Sequence, residues 1–293
     1  MDHRSAVIEL SKAASNRVVD ARLHVWDTAE VDIPWIRRAG LPARADIPEA
    51  RAACILVEAD AADPVQETDW LLGLWRSRPE VLGVVAGVDL LHRGAEERLG
   101  VLTRTEGVVG VRQVLQDRSD AELEAAFTAL VALRDTELAV DVCVRSHQLR
   151  HCADLLGRMD GQRVVLDHLG KPPLADSAGL KAWREDLTAV AAHGQVRVKL
   201  SGLPAEADLA AADPEHSAAL LDEHTAPLLE TALELFGPER CMVGTDAPVS
   251  QDPRGWMARA HEVLEHLLTP DELRQVEAET ATDTYRRCRG AHL

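Results

Sequence analysis

The stretch VVDARLHVWD, residues Val18 to Asp27, contains the first of eight short runs rich in apolar and β-branched residues. Longer segments of helical periodicity separate the runs, which is the pattern of a parallel sheet with crossover helices. Eight strand and helix units in 293 residues predict a single-domain (β/α)8 TIM barrel. After Val18 to Trp26, the other runs are Ala53 to Ala59, Val81 to Val88, Val108 to Leu115, Leu138 to Val144, Arg163 to Leu169, Val196 to Ser201 and Cys241 to Thr245.

The barrel is expected to occupy residues 18–293, preceded by an extension of residues 1–17. That extension lacks the continuous apolar run of a signal peptide, and no later segment offers the roughly 18 uncharged apolar residues of a membrane span. The five cysteines are scattered singly, which is typical of reduced thiols. These features predict a cytoplasmic protein without a membrane partner.

The charge balance limits the partners. With 49 acidic and 32 basic residues, the chain carries a formal charge of -17, which repels nucleic acid. A small molecule, a lactone or a carboxylate, is the expected partner, and a homo-oligomer is left open. Because the same field repels an anion from a distance, a carboxylate substrate would need arginines inside the site, and Arg22, Arg112 and Arg145 are the candidates.

Catalytic groups of such barrels lie at the carboxyl ends of the strands. Alternation of side chains along a strand places Cys143 and Arg145 on one face, and likewise Arg22 and His24. The polar residues expected at the strand ends are Arg22, His24, Glu58, Arg112, Arg145, His147, Asp167, His168, Lys199, Ser201 and Asp246.

The first strand nearly carries a metal-site signature. A strand that ends in His-x-His aims two imidazoles at one ion, but here the first of those positions is Arg22. A guanidinium has no lone pair to donate, so Arg22 and His24 cannot both be ligands. The chemistry of the chain therefore depends on whether it needs a metal.

Several motifs together resemble the amidohydrolase-2 group of the amidohydrolase superfamily, and most of all its sugar-lactone and pyrone-dicarboxylate lactonase branch. The motifs run in family order along almost the whole chain, and VLDHLGKP is the most specific of them. They are VVDARLHVWD followed by IPWI, GVR at Gly110 to Arg112, VVLDHLGKP at Val164 to Pro172, VKLSGL at Val198 to Leu203 and RCMVGTDAPV at Arg240 to Val249.

The resemblance implies a hydrolase in which Asp246 activates the water that attacks a lactone carbonyl. His168 and His24 would polarise that carbonyl or bind an ion where one is present, and Arg112 would hold a substrate carboxylate or hydroxyl. Some members of this branch work without a metal. Glu58, Arg145 and Lys199 are further candidates for substrate binding.

Two departures from the family pattern bear on the metal and on the pocket. His-x-His is replaced at Arg22, and the usual Ser-Asp-Trp-Pro reads Thr-Asp-Ala-Pro around Asp246. The first change removes one ligand, leaving His24, His168 and Asp246 as the expected ligands of any ion, too few for tight Zn2+ binding. The sequence therefore predicts no tightly bound cofactor, with Arg22 stabilising the oxyanion in place of the ion. The second change opens a pocket wall for a bulkier or differently shaped substrate.

Alternatives remain at this point. The same barrel supports a metal-dependent decarboxylase, a biosynthetic cyclase or dehydratase, or a non-catalytic ligand-binding relative. Single residues also have structural interpretations. Arg22 could form a buried pair with Asp20 or Glu58, and Lys199 could pair with Glu58.

Overall fold

The computed structural model describes residues 18–48 and 53–287. Eight parallel strands follow one another in chain order around one sheet. A bridge between Leu23 and Ala247 joins the segment after the last strand to the first strand. The predicted single-domain (β/α)8 TIM barrel is confirmed, and each predicted run forms one barrel strand. The predicted extension, residues 1–17, lies outside the described residues, as does Cys288.

The strands are short, as expected for a barrel whose wall is buried on both faces. A small antiparallel ribbon, β2 and β3, lies in the long loop after the first barrel strand. The strands are β1 Val19–Leu23, β2 Trp26–Asp27, β3 Arg44–Ala45, β4 Ala53–Val57, β5 Val81–Gly87, β6 Val108–Val114, β7 Ala139–Cys143, β8 Val164–Leu166, β9 Val196–Leu200 and β10 Cys241–Val243.

Helices fill the connections, and a π-helical turn, Gln275–Glu279, precedes the last of them. They are α1 Pro34–Arg38, α2 Pro64–Ser77, α3 Ala95–Leu102, α4 Asp120–Leu130, α5 Leu149–Leu156, α6 Ser177–Ala191, α7 Leu203–Ala210, α8 Pro214–Phe236, α9 Pro253–Leu267, α10 Pro270–Arg274 and α11 Thr280–Thr284.

Local sequence signals explain where several helices begin and end. Ser119 caps α4 through a capping box with Glu122. Gly237 ends α8 at a φ of 75°, a conformation that glycine adopts without strain. Asp213 caps the start of α8, and α7 lies in the connection between β9 and α8.

Two apolar layers enclose the strands. The larger layer lies between the sheet and the surrounding helices. The smaller layer fills the floor of the barrel with short side chains such as Val19, Ala21 and Ala139, closed from below by Ala281 and Tyr285 of the C-terminal segment. Because this floor is apolar and closed, the polar side chains inside the barrel are confined to its middle and its mouth.

The described cysteines, Cys54, Cys143, Cys152 and Cys241, are free thiols and are all buried. Within residues 18–48 and 53–287, no helix has both the length and the apolar character to cross a membrane.

Candidate active site

The site lies where the barrel closes, between residues 20–24 and residues 244–247, here called the closing seam. The backbone N–H of Asp246 donates to the carbonyl of Arg22 at 2.9 Å. The register of β1 shifts between Asp20 and Leu23, a local irregularity of the kind that redirects side chains beside active sites. The seam therefore holds Arg22 and Asp246 side by side.

Asp20 and Gly244 fix the seam from behind. The Asp20 carboxylate accepts hydrogen bonds from the backbone N–H and the hydroxyl of Thr245, at 2.8 and 2.5 Å, and from the N–H of Arg22 at 3.1 Å. A Cβ on Gly244 would lie 2.9 Å from the Cβ of Arg22. The two chain segments approach this closely because residue 244 has no side chain.

Asp246 is the centre of the arrangement. Its Oδ1 lies 3.1 Å from Nε of Arg22, 3.5 Å from Nε2 of His24 and 3.6 Å from Nε2 of His168. Its Oδ2 accepts from the Ser250 hydroxyl at 3.1 Å. Arg22, His24, His168 and Asp246 are all 3 to 4% exposed, so these contacts act with little screening by water.

His168 and Asp246, which follow the ends of β8 and β10, both have a backbone conformation with positive φ. His168 has a φ of 55° and Asp246 a φ of 56°, a left-handed conformation that costs about 1–2 kcal/mol for residues with a Cβ. Gly202 has a φ of 72°, and a Cβ there would overlap the His168 ring. The Ser201 hydroxyl lies 3.0 Å from Nδ1 of the same ring. Strain of this kind is concentrated at functional sites.

The protonation states follow from geometry and burial. Nδ1 of His24 lies 2.9 Å from the carbonyl of Val57, and because a carbonyl only accepts, Nδ1 carries the proton. Burial and the Arg22 guanidinium hold the pKa of His24 below its usual range, and the pKa of His168 well below it. His24 is therefore neutral at pH 7, with the lone pair of Nε2 turned toward Asp246.

The pKa of Asp246 is held well below its usual range. Burial alone would raise it, but the permanent charge of the Arg22 guanidinium, 3.1 Å from Oδ1, favours the ionised carboxylate even while both imidazoles are neutral. Burial and Arg112 act against the charge of Arg22, yet the nearby carboxylates still raise its pKa. The site therefore contains an ionised carboxylate next to a permanent cation and two neutral imidazoles.

A second carboxylate gathers three cations below the mouth. Asp167 is fully buried and accepts from Nη1 of Arg22 at 2.5 Å. Nη1 of Arg112 lies 3.6 Å from the same oxygen, and Nζ of Lys199 lies 3.2 Å from the other oxygen. Burial opposes the ionisation of Asp167, but these cations hold its pKa below the usual range. Arg112 also forms an ion pair with Glu58.

Arg145 lies apart from this group. β7 ends at Cys143, so the alternation that would have directed Arg145 inward stops before it. Arg145 is 35% exposed and forms an ion pair with Asp117 at 2.7 Å. Of the predicted site residues, Asp246, His168, His24, Arg22, Arg112, Glu58 and Lys199 lie in one connected set of contacts.

The partners of the buried cations differ from the sequence alternatives. Arg22 pairs with Asp167 and Asp246 rather than with Asp20 or Glu58, and Lys199 does not pair with Glu58. Lys199 is fully buried and pairs with Asp141, a residue that the sequence reasoning passed over. The signal was present, since an acidic side chain in the middle of the apolar run AVDVC needs a buried partner.

Two further buried residues escaped the sequence reasoning. Tyr285 donates from its hydroxyl to both oxygens of Asp141, at 2.9 and 3.0 Å, and nothing in the sequence connects these distant positions. Glu67 of α2 is 1% exposed and accepts from the N–H of Ala59 at 2.6 Å. Burial and the neighbouring Glu58 raise the pKa of Glu67 to about 8.

The described residues offer one group that could hold a metal ion. Cys143, Asp167 and His168 bring ligand atoms within 4.8 Å of one another, and this group shares only His168 with the set expected from the sequence. Asp167 already neutralises Arg22, Arg112 and Lys199, and Arg22 also occupies the carboxylate of Asp246. A divalent ion would have to share these carboxylates with fixed cations, so the residues present fit a tightly bound metal poorly.

Comparison with known proteins places the chain. Residues 19–287 match the family model named Amidohydrolase. The chain belongs to the amidohydrolase family. This match confirms the predicted membership in the amidohydrolase-2 group, and the protein is a hydrolase of that superfamily.

Two curated relatives of this amidohydrolase are each named L-fucono-1,5-lactonase. The relative from Burkholderia multivorans is 35% identical over 253 residues, which cover 79% of this chain and 82% of that protein. The relative from Burkholderia ambifaria is 31% identical over 288 residues, which cover 92% of this chain and 95% of that protein. The confirmed branch is therefore the lactonase branch.

A solved structure of an amidohydrolase from Burkholderia multivorans with bound zinc is 30% identical to this chain. It superposes with a TM-score of 0.79, covering 92% of this chain and 99% of that one. Zinc thus binds in a protein of the same fold and family.

Proposed function

We propose that the protein hydrolyses a neutral sugar lactone to the open hydroxy acid, with Asp246 accepting the proton of the attacking water. The observation that carries the proposal is the convergence of Arg22, His24 and His168 on Oδ1 of Asp246, at 3.1 to 3.6 Å. Lactone opening requires a group that accepts the proton of water and a positive charge near the developing oxyanion. Asp246 is the proton acceptor, the imidazoles offer lone pairs that hold the water, and Arg22 is the permanent cation.

Water is the first reactant to be positioned. A water molecule beside Asp246 would donate one hydrogen to the carboxylate and the other to the lone pair on Nε2 of His24. Its oxygen then forms the new bond to the lactone carbonyl carbon, while its proton passes to Asp246. A low pKa makes Asp246 a modest base but a strong acid once it is protonated. The same group therefore returns the proton in the next step.

The carbonyl electron pair moves to oxygen as the water attacks. The Arg22 guanidinium next to Asp246 is positioned to stabilise that oxyanion. Nη1 of Arg112 has no hydrogen-bond partner among the described residues and is assigned to a substrate oxygen. Collapse of the intermediate breaks the ring C–O bond, and the leaving alkoxide takes the proton from Asp246. Nε2 of His168 lies 3.6 Å from the Asp246 oxygen that carries this proton in the proposal.

The charges of the site favour a neutral substrate. Each of the buried cations Arg22, Arg112 and Lys199 is already paired with a buried carboxylate. A substrate carboxylate would find no unpaired cation there, and entering a buried site unpaired is costly. A sugar lactone, whose ring carries hydroxyls, needs only hydrogen bonds. The relatives named L-fucono-1,5-lactonase agree with this substrate class.

The proposed reaction needs no metal. Arg22 supplies the positive charge that a Lewis-acid ion would bring to the carbonyl oxygen. Zinc would compete with that guanidinium both at His24, His168 and Asp246 and at the group of Cys143, Asp167 and His168. Its binding is therefore expected to be weak.

Proton release from a panel of lactones tests the proposal, with L-fucono-1,5-lactone, other aldonolactones and 2-pyrone-4,6-dicarboxylate as substrates. We expect hydrolysis of neutral lactones that persists with chelator and falls at least about hundredfold in Asp246→Asn. Arg145→Ala is the matched control, because it removes a charged side chain from the rim. Turnover that disappears with chelator and returns with zinc would refute the metal-free mechanism.

Absence of turnover on every lactone would refute the function itself. In that case, carboxylate substrates consumed only with added metal would indicate a decarboxylase. Ligand binding without turnover, unchanged in Asp246→Asn, would indicate a binding protein.

A further inference from the structure

A continuous run of buried side chains links the closed end of the barrel to Asp246. It passes from Tyr285 through Asp141, Lys199 and Asp167 to Arg22, and is here called the buried string. Each link is a hydrogen bond or an ion pair between side chains that are at most 4% exposed. The proposed mechanism uses only the last member, so the others need an explanation.

At the closed end, the Tyr285 hydroxyl lies 2.9 and 3.0 Å from the two oxygens of Asp141. Asp141 also accepts from the ammonium of Lys199, which lies 5.4 Å from the centroid of the Tyr285 ring. Phenylalanine would fill the same apolar floor without burying a hydroxyl. The hydroxyl therefore acts on the position of Asp141 and Lys199 rather than on packing.

Lys199 and Asp167, in the middle of the buried string, connect the position of Asp141 to that of Arg22. Oδ1 of Asp167 accepts no hydrogen bond among the described residues, and the charge that faces it is the ammonium of Lys199 at 3.2 Å. Oδ2 of Asp167 accepts from Arg22. If Lys199 moves toward Asp141, Asp167 loses charge neutralisation on one side and draws Arg22 more strongly on the other. Arg22 then moves away from Asp246.

Tyr285 is held in place independently of the site. Nη1 of Arg163 donates to the carbonyls of Thr284 and Arg286, at 2.9 Å each. Nη1 of Arg287 donates to the carbonyl of Val108 at 2.9 Å. Both arginines tie the C-terminal segment to the amino ends of barrel strands. The tyrosine is thus a fixed end for the string.

We propose that Tyr285 is a positioning residue for the reaction. Through Asp141, Lys199 and Asp167, it fixes the position of the Arg22 guanidinium relative to Asp246. This inference rests on the proposed function only for its kinetic test. The residue touches neither substrate nor water at the mouth. Its effect is on how the transition state is stabilised and not on how the substrate binds.

The kinetic test compares Tyr285→Phe with Arg287→Gln. The first variant removes the hydroxyl, and the second loosens the same segment while leaving that hydroxyl on Asp141. For Tyr285→Phe we expect kcat to fall about tenfold with KM within about twofold, the loss typical of one hydrogen bond to a charged group. Arg287→Gln should lower the melting temperature without this selective loss in kcat. Equal losses in kcat that follow the melting temperatures of both variants would overturn the proposal.

A spectroscopic test needs no activity. Tyr285 is the single tyrosine of the chain, so protein labelled with 13C at the tyrosine ζ carbon gives one resonance from that ring. Asp246→Asn should shift that resonance, because the string joins the two residues, while Arg145→Ala at the rim should leave it unchanged. If no lactone is hydrolysed, a tyrosine resonance that shifts in Asp246→Asn but not in Arg145→Ala still supports coupling through the buried string. An unshifted resonance in Asp246→Asn overturns it, whether or not the protein is a lactonase.

Discussion

Replacing Glu67 with Gln should stabilise the protein at alkaline pH and have little effect near pH 5. Burial and Glu58 raise the pKa of Glu67 from an ordinary value of 4.5 to about 8. Between these values the folded state keeps a proton that the unfolded chain has lost, so the free energy of unfolding falls as the pH rises. At 1.36 kcal/mol per pKa unit, the loss is complete above pH 8 and amounts to about 5 kcal/mol.

The assay is urea unfolding of wild type and Glu67→Gln, followed by tryptophan fluorescence from pH 5 to 9. The glutamine carbonyl can still accept from Ala59, and any effect of its amide group at the unpartnered Oε2 position is the same at every pH. The difference between the two free energies should grow by about 1.4 kcal/mol per pH unit up to about pH 8 and then level off. The exposed Glu124→Gln on α4 is the control and should follow wild type. Parallel curves for wild type and Glu67→Gln would refute the reasoning.

Three further outcomes are expected. Gly202→Ala should lower both kcat and the melting temperature, because a left-handed alanine costs about 1 kcal/mol and its Cβ would displace the neighbouring imidazole; unchanged kinetics would contradict this. Arg22→His should raise the zinc content measured by elemental analysis. The same variant should destabilise the protein by about 3–5 kcal/mol, because Asp167 loses its ion pair with the Arg22 guanidinium. Arg145→Ala should change kcat/KM less than about threefold, since exposed ion pairs contribute little. Arg112→Ala should lower kcat/KM at least about hundredfold, because it breaks a buried ion pair. Equal losses of kcat/KM in the two variants would contradict this contrast.

The fold was predictable because its signals are local and repeated. Each of the eight apolar runs predicts one strand, and the barrel follows from their alternation with segments of helical periodicity. The boundaries were less predictable. The run Arg163 to Leu169 looks like a single strand, but β8 ends at Leu166 because His168 and Leu169 adopt left-handed conformations.

The candidate site was predictable only at the level of which strand ends carry polar groups. Alternation brought Arg22 and His24 to one face, as the structure shows, but it failed for Arg145 because the strand ends two residues earlier. Pairing between distant residues leaves no local pattern. The contacts of Arg22 with Asp167 and of Tyr285 with Asp141 depend on how the barrel closes, which no single stretch of sequence contains.

The closing seam joins residues of the first and the last barrel strand, since Arg22 and His24 belong to the β1 region and Asp246 follows β10. The proposed reactive centre is therefore assembled in a nascent chain only after the last barrel strand has emerged and docked against the first. Turnover is in this sense a direct reporter of barrel completion. We therefore expect hydrolysis to be lost at a lower denaturant concentration than the helical signal, wherever the first and last strands separate before the rest of the barrel unfolds.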